Sequence, residues 1–504
     1  MVLIEKRLDS CHQLLLSGMV EQQTTTVKHI AGNRAKQMRY GRFLSNKKVT
    51  PELILQQAIA PIGAAVAGKH ILLVEDSSEI SFGLLPRAAG LGSVGTGAES
   101  GFYVHPVLAI DANERACYGL AAARIYKRPE LPSALQGADL KARKKYWITQ
   151  PLKDKRSNRW LEVPLQAQQN CPLASRMTVV ADREGDIYEA FDGFKKAGLD
   201  FVVRMSKDRL LDGPGQLRRK QQQQASGRKR QAGSEDAKQS RSAAQPDESA
   251  LPNQDQDQKL IATVREQLNA LPVAGSYELK LPATDKRSAH TATLDVKWTA
   301  ARLLRPQTVA GRACSPALDV YVTEVCERAS SVVGAEKPIH WVLVTSHVVE
   351  TLDQALQVIE WYKWRWDIEQ TFRLLKSRGM DIENSGLQGY ERLANLTVLA
   401  LVAAIRVLQL ILARDNTTSQ ELATGFTQEQ AAFLQLLNKK LEGNTVKQRN
   451  PYPPESLAFG SWVIARLASW DGYTSKPPGP ITMHRGLIIF YQRFEGYQLA
   501  KSVT

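Results

Sequence analysis

The chain has 504 residues, 43% of them hydrophobic, and a formal charge of +15. That is enough apolar material for about two to four packed domains, and the basic excess points to a polyanionic partner, nucleic acid first. Five cysteines, none in a CxxC pair, exclude a disulfide framework or zinc ribbon and fit a reducing cytoplasm, while Glu5, Lys6, Arg7 and Asp9 exclude a signal-peptide apolar core.

Residues 1–65 read as helical and basic. From Lys28 to Lys48 there are seven Lys or Arg and no Asp or Glu, with Tyr40 and Phe43 among them. Such a run is either a solvated helix face or a surface that tracks phosphates. Next, Ile71-Leu72-Leu73-Val74 reads as a buried strand delivering Asp76 at its end. Phe102–Ile110 and Ala116–Tyr126 read as two more strands, turning at Asp111–Glu114. Met177–Ala181 is another buried strand that ends in an Asp, Asp182. A helix opens after Arg183-Glu184-Gly185-Asp186, and Phe201–Arg204 is again a strand. Strands followed by helices predict a mixed α/β sheet.

Residues 218–258 hold a run of four Gln, many Ser, Lys, Arg and Asp, and no aromatic residue. Their composition predicts a disordered segment inside a β-leaning insertion at about 206–310. Strands resume at Leu318–Val325 and His340–Val344, and a helix begins near Thr351. From Tyr390 onward the chain reads as helical. Leu396–Leu412 contains Arg406 and Gln409, so it reads as a buried helix and no membrane partner is expected.

Tyr362, Arg365, Glu369 and Lys376 lie at roughly 0°, 300°, 340° and 320° around one helix, while Trp361, Trp364, Ile368, Phe372 and Leu375 fall between about 200° and 280°. An apolar stripe therefore docks the helix, and a carboxylate flanked by cations and a phenol stands beside it. With Asp76 and Asp182 at strand ends, Glu369 would complete three convergent carboxylates, which repel one another unless cations join them. Mg²⁺ takes oxygen ligands, and two such ions roughly 4 Å apart would activate a water or a 3′-hydroxyl in phosphoryl transfer on nucleic acid. The competing readings are strand-end caps for the two aspartates, an i,i+4 partner of Arg365 or Arg373 for Glu369, and a core position for Trp341. Glu184 and Asp186 read equally as residues that favour a helix amino terminus.

The spacing Tyr362-x2-Arg365-x3-Glu369-x6-Lys376 resembles the YREK signature of DDE transposases of the Tn-five type, the insertion-sequence-four family. Val74–Ser78 resembles that family's first-Asp strand. Val180–Asp186 resembles its second-Asp motif, with Gly185 where alanine is usual. Trp341–Ser346 resembles the strand before the signature helix, and Leu393–Leu410 and Pro478-Gly479-Pro480 its carboxyl-terminal region.

The resemblance implies an RNase H-like catalytic core at 66–205 and 311–388, interrupted by the insertion at 206–310. A helical DNA-binding domain at 1–65 and a helical dimerisation domain at 389–504 would flank it. Asp76, Asp182 and Glu369 would hold Mg²⁺ or Mn²⁺. Tyr362, Arg365 and Lys376 would contact phosphates, Trp341 would stack on a flipped base, and Arg204, Trp366, Arg183 and Arg373 would help hold DNA. The implied reaction is cut-and-paste transposition, with end nicking, hairpin formation and strand transfer, by a synaptic homodimer on double-stranded DNA at the bacterial nucleoid. Members usually open with a Leu-Gly-Asp-x-Arg-like stretch, and the given sequence begins close to where that stretch ends. The alternatives are a non-catalytic DNA-binding regulator derived from a transposase and an RNase H-like nuclease without strand transfer.

Overall fold

A computed structural model describes residues 5–83, 90–128, 132–212, 262–281, 283, 288–334, 337–376, 379–473 and 476–503; the polar segment expected at 218–258 lies outside the described residues. The chain forms two compact units, one of residues 1–185, 193–203 and 360–504, the other of 186–192 and 204–359.

The first unit is built on β1 (His70–Glu75), β2 (Ser78–Ser81), β3 (Gly92–Val94), β4 (Glu99–Asp111), β5 (Cys117–Tyr126), β6 (Arg176–Ala181) and β7 (Asp200–Arg204). β4 pairs antiparallel with β5 and with β1, and β1 pairs parallel with β6, which pairs parallel with β7. The order β5-β4-β1-β6-β7 is compatible with an RNase H-like DDE core. The two parallel strands are legible because both faces are covered: Ile71, Leu72, Leu73 and Val74 are all fully buried, as are Val179 and Val180. In register, Val74 stands opposite Val180, so the loops carrying Asp76 and Asp182 leave the sheet side by side.

Around this sheet, the helix Arg159–Asn170 packs on β5, β4 and β1. The helix Tyr390–Ala413 is long and apolar enough to cross a membrane, but 83% of its apolar window is buried inside the fold. It packs against β5, the amino-terminal helices Lys6–Gln22, Arg34–Leu44 and Pro51–Ile59, and the carboxyl-terminal helices Leu457–Leu467 and Pro480–Val503. Polar ties set its register. Asn395 Nδ2 donates to the carbonyls of Leu44 and Val49, and Ser461 Oγ donates to the Leu410 carbonyl.

One expectation is corrected. The segment bearing Tyr362, Arg365, Glu369 and Lys376 is two helices, Leu352–Trp364 and Trp366–Lys376, with Arg365 in the turn between them. The break has a local cause. The Arg365 N–H donates to the Tyr362 carbonyl and the Ile368 N–H to the Arg365 carbonyl, i to i+3 bonds that tighten the coil and interrupt the α-helical ladder. The apolar stripe holds as expected: Trp361, Trp364, Ile368, Phe372 and Leu375 are all buried.

The second unit contains β8 (Gly275–Leu281), β9 (His290–Leu304), β10 (Ala317–Glu327) and β11 (His340–Thr345), an antiparallel meander in chain order. Burial alternates along β9, where Ala292, Leu294 and Val296 face the core, as a sheet with one covered face requires. Asp186 anchors this unit. Its carboxylate accepts from the N–H groups of Ser206 and Lys207, from the Ser206 hydroxyl and from Arg209.

The glycine at 185 has a packing reason. A Cβ there would stand 2.7 Å from the Ala181 Cβ and 3.3 Å from Trp160 Cε3. Gly185→Ala should therefore destabilise the protein by about 1–3 kcal/mol through overpacking. A denaturation midpoint equal to wild type would show that Trp160 has room to yield.

Candidate active site

The parallel pair β1 and β6 delivers Asp76 and Asp182 from adjacent strand ends, and each carboxylate is fixed by a neighbouring backbone amide. The Ser77 N–H donates to Asp76 Oδ1 at 2.7 Å and the Glu184 N–H to Asp182 Oδ1 at 2.9 Å. The third carboxylate arrives on the helix Trp366–Lys376. That helix is pinned by Arg115, in the β4–β5 turn, which donates to both oxygens of buried Asp367 at 2.9 and 2.6 Å. The Trp361 indole N–H donates to the Ala112 carbonyl of the same turn, and its ring meets His70 edge-on at 5.2 Å.

Arg365 then connects the pieces. One guanidinium nitrogen donates to Asp76 Oδ2 at 3.0 Å and another to Glu369 Oε1 at 2.6 Å. Its guanidinium lies 5.8 Å from the ring centroids of both buried Tyr362 and Trp366, the latter 47% exposed. Burial opposes the charge on Arg365, but Tyr362, Glu369 and Asp76 outweigh it and raise its pKa. Asp76 is crowded. Burial first, then the charges of Asp182 and Glu369, drive its carboxyl from 3.8 up to about 7 against the pull of Arg365 and the Ser77 amide. Among the described residues no three candidate ligands stand close enough to enclose an ion as they are. The all-oxygen donor set and the raised Asp76 pKa nevertheless fit a hard divalent cation, with Arg365 supplying positive charge between two of the carboxylates.

Behind the two aspartates lies a buried polar layer. His105 Nε2 is 2.9 Å from Glu75 Oε2 and its Nδ1 is 2.8 Å from Ser77 Oγ. Burial pushes the Glu75 carboxyl well up and the His105 imidazole well down, each disfavouring its charged form. Arg159 donates to Ser77 Oγ and to Glu184, both at 2.7 Å. Sequence reading passed over Arg159, His105, Arg115 and Asp367. Only Asp367 left a trace, as an acidic residue inside an aromatic stripe.

The remaining candidates divide between the units. Lys376 Nζ lies 3.6 Å from Glu383, which accepts from the Ser81 N–H. Arg183 and Arg373 are exposed. Arg204 and Trp341 belong to the second unit, where Arg204 donates to the His340 carbonyl and Trp341 is the second residue of β11, opposite Val325. Asp186, of the same acidic cluster as Asp182, is committed to its own anchor in the second unit. Another cationic element went unnoticed in the sequence: the helix Leu140–Thr149 carries Lys141, Arg143, Lys144 and Lys145 and buries none of its residues.

Residues 165–406 match the family model of the transposase DDE domain. The matched stretch contains β6, Asp182 and the helix pair with Glu369, whereas Asp76 lies before it. The match supports a DDE transposase in general terms.

The raised pKa of Asp76 has a sign that can be measured. A carboxyl that binds its proton more tightly in the folded chain contributes stability below about pH 4, and that contribution is lost as the pH rises toward about 7. The cation-free protein should lose thermal stability across this window. Asp76→Asn should flatten the decline and melt above wild type at about pH 8. Parallel melting profiles for the two proteins would show that Asp76 titrates normally.

Proposed function

We propose that this chain is a DDE transposase of the insertion-sequence-four type, carrying out cut-and-paste transposition. The observation that carries the reading is the meeting of two parallel strand ends and one helix in a single electrostatic neighbourhood, where Asp182 and Glu369 both act on Asp76 and Arg365 spans Asp76 and Glu369.

In this reading Asp76, Asp182 and Glu369 hold Mg²⁺ or Mn²⁺, two ions per site. Bound ions would supply Lewis acidity and a nucleophile at neutral pH, either water or a 3′-hydroxyl. The chain's own residues position the strand. Arg365 can exchange its carboxylate partners for a phosphate, whose geometry suits its planar fork. Lys376 adds a point charge one helical stretch farther on, and the Tyr362 ring keeps Arg365 from lying back. Trp366, Arg373 and Arg183 offer further contact to the duplex. Trp341 and Arg204 are assigned to stacking on an extruded base and to holding the strand beside it.

The order of events is nicking at the element's end, attack of the freed 3′-hydroxyl on the opposite strand to give a hairpin, hairpin opening, and joining to target DNA. Residues 1–65, whose helices Val27–Ala31 and Arg34–Leu44 carry most of the basic run, are assigned to binding the ends. Residues 389–504 are assigned to dimerisation in the synaptic complex, and 206–310 to an insertion in the core. The site of action is the bacterial nucleoid.

Purified protein with Mg²⁺ and DNA carrying the inverted repeats that flank its gene should yield nicks, hairpins and joined products. Cut ends with no hairpin or joined product would reduce the reading to a nuclease, and binding without cutting to a regulator. Glu369→Ala should abolish cleavage while leaving end binding within a few-fold. Cleavage at the wild-type rate would remove Glu369 from the site. Lys376→Ala should lower the slope of log affinity against log salt by about 1. An unchanged slope would deny Lys376 a phosphate contact.

A further inference from the structure

We propose that Arg159 is a positioning residue that locks the two aspartate-bearing loops to each other; this rests on the reading of Asp76 and Asp182 as cation ligands. The backbone alone does not join these loops. Pairing between β1 and β6 ends at Val74 opposite Val180, short of both aspartates.

Beyond that point the link is made by one side chain. Arg159 opens the helix Arg159–Asn170 and is only 4% exposed. Its Nε donates to Ser77 Oγ at 2.7 Å, its Nη2 to Glu184 Oε2 at 2.7 Å and its Nη1 to the Arg156 carbonyl at 3.0 Å. Ser77 and Glu184 are the residues whose N–H groups fix Asp76 Oδ1 and Asp182 Oδ1. A continuous chain of bonds therefore runs Asp76, Ser77, Arg159, Glu184, Asp182.

The guanidinium is itself held in place, 5.3 Å from the Trp160 ring and 5.8 Å from the Tyr126 ring. Its two arms differ. The Glu184 side chain is 65% exposed, so that ion pair is screened and weak alone. The Ser77 arm lies against the buried His105, which also reaches Ser77 Oγ. Arginine suits this task because its fixed fork spans two acceptors in one plane, which a lysine ammonium on a flexible stem does not. Arg159 touches neither of the two aspartates directly. Its role is to set the separation of the carboxylates through the residues that bond them, as partners outside a ligand set do in metal sites.

The test uses the full-length chain, with Mn²⁺ as probe of the DNA-free protein, free ion being counted by electron paramagnetic resonance. Arg159→Met, Arg159→Lys and the double variant Ser77→Ala/Glu184→Gln are compared with wild type. Arg159→Met should weaken Mn²⁺ binding roughly 10- to 100-fold, and raise the Mg²⁺ needed for half-maximal nicking in proportion. End-DNA affinity should stay within a few-fold. Arg159→Lys should not restore it. The double variant should reproduce the loss, and adding Arg159→Met to it should cost little more, because the three residues act as one unit.

A folded Arg159→Met protein with wild-type Mn²⁺ affinity overturns the proposal, as do losses that simply add. If Arg159→Met fails to fold, the double variant decides alone: wild-type Mn²⁺ binding by it overturns the proposal and weakened binding upholds it. Wild-type protein that binds Mn²⁺ but cuts no end DNA would sink the transposase reading and leave the Arg159 comparison readable from the ion titration.

Discussion

The site depends on the repulsion among carboxylates that the fold forces together. Glu75, Asp76 and Asp182 sit at the ends of adjacent buried strands, and Glu369 is brought to them by a docked helix. Left alone, that arrangement would expel a carboxylate or take up protons, and Asp76, pushed up to about 7 by burial first and then by Asp182 and Glu369, is close to doing so. Arg365 answers the repulsion from within the chain by spanning Asp76 and Glu369.

The docking of the helix pair is independent of that charge balance. Arg115 to Asp367 and Trp361 to the Ala112 carbonyl fasten it to the β4–β5 turn through residues that take no part in the bridge made by Arg365. A bidentate pair whose carboxylate is buried is costly to break once one partner is removed, so the third carboxylate keeps its place whatever Arg365 contacts. Position and charge are thereby set by different residues: Asp367 for where Glu369 stands, Arg365 for what neutralises it.

The parts visible in the sequence were those that repeat locally. Ile71–Val74 and Met177–Ala181 announce covered parallel strands as unbroken apolar runs, and both end where the sequence placed them, next to Asp76 and Asp182. The stripe from Trp361 to Leu375 announces a docked helix by its period. The break at Arg365 left no sign, because two helices joined by a tight turn keep nearly the same angular pattern as one. Nor did the tertiary polar contacts. Arg159 precedes Trp160 with nothing local to mark it, and its partners Ser77 and Glu184 are 82 and 25 residues away. Asp186 read as a residue favouring a helix start and proved to be an acceptor for Ser206, Lys207 and Arg209, again a contact across sequence. Gly185 in place of alanine became intelligible only once Trp160 was seen above it.

The two sides of the carboxylate cluster are built for different behaviour. Behind Asp76 and Asp182, Glu75 and His105 are buried, and each Arg159 guanidinium nitrogen donates to an acceptor, so rearrangement there would strand polar groups out of water. In front, Arg365 keeps a buried Nε with no acceptor among the described residues, and its partner Glu369 is partly open to solvent. A cation arriving at the cluster would relieve Asp76 and release Arg365, and a phosphate arriving with it would give the freed guanidinium a better acceptor than the one it left. Fixed loops behind and an exchangeable charge in front are what the proposed role would require of a site that holds together empty and then accepts a metal-bound strand.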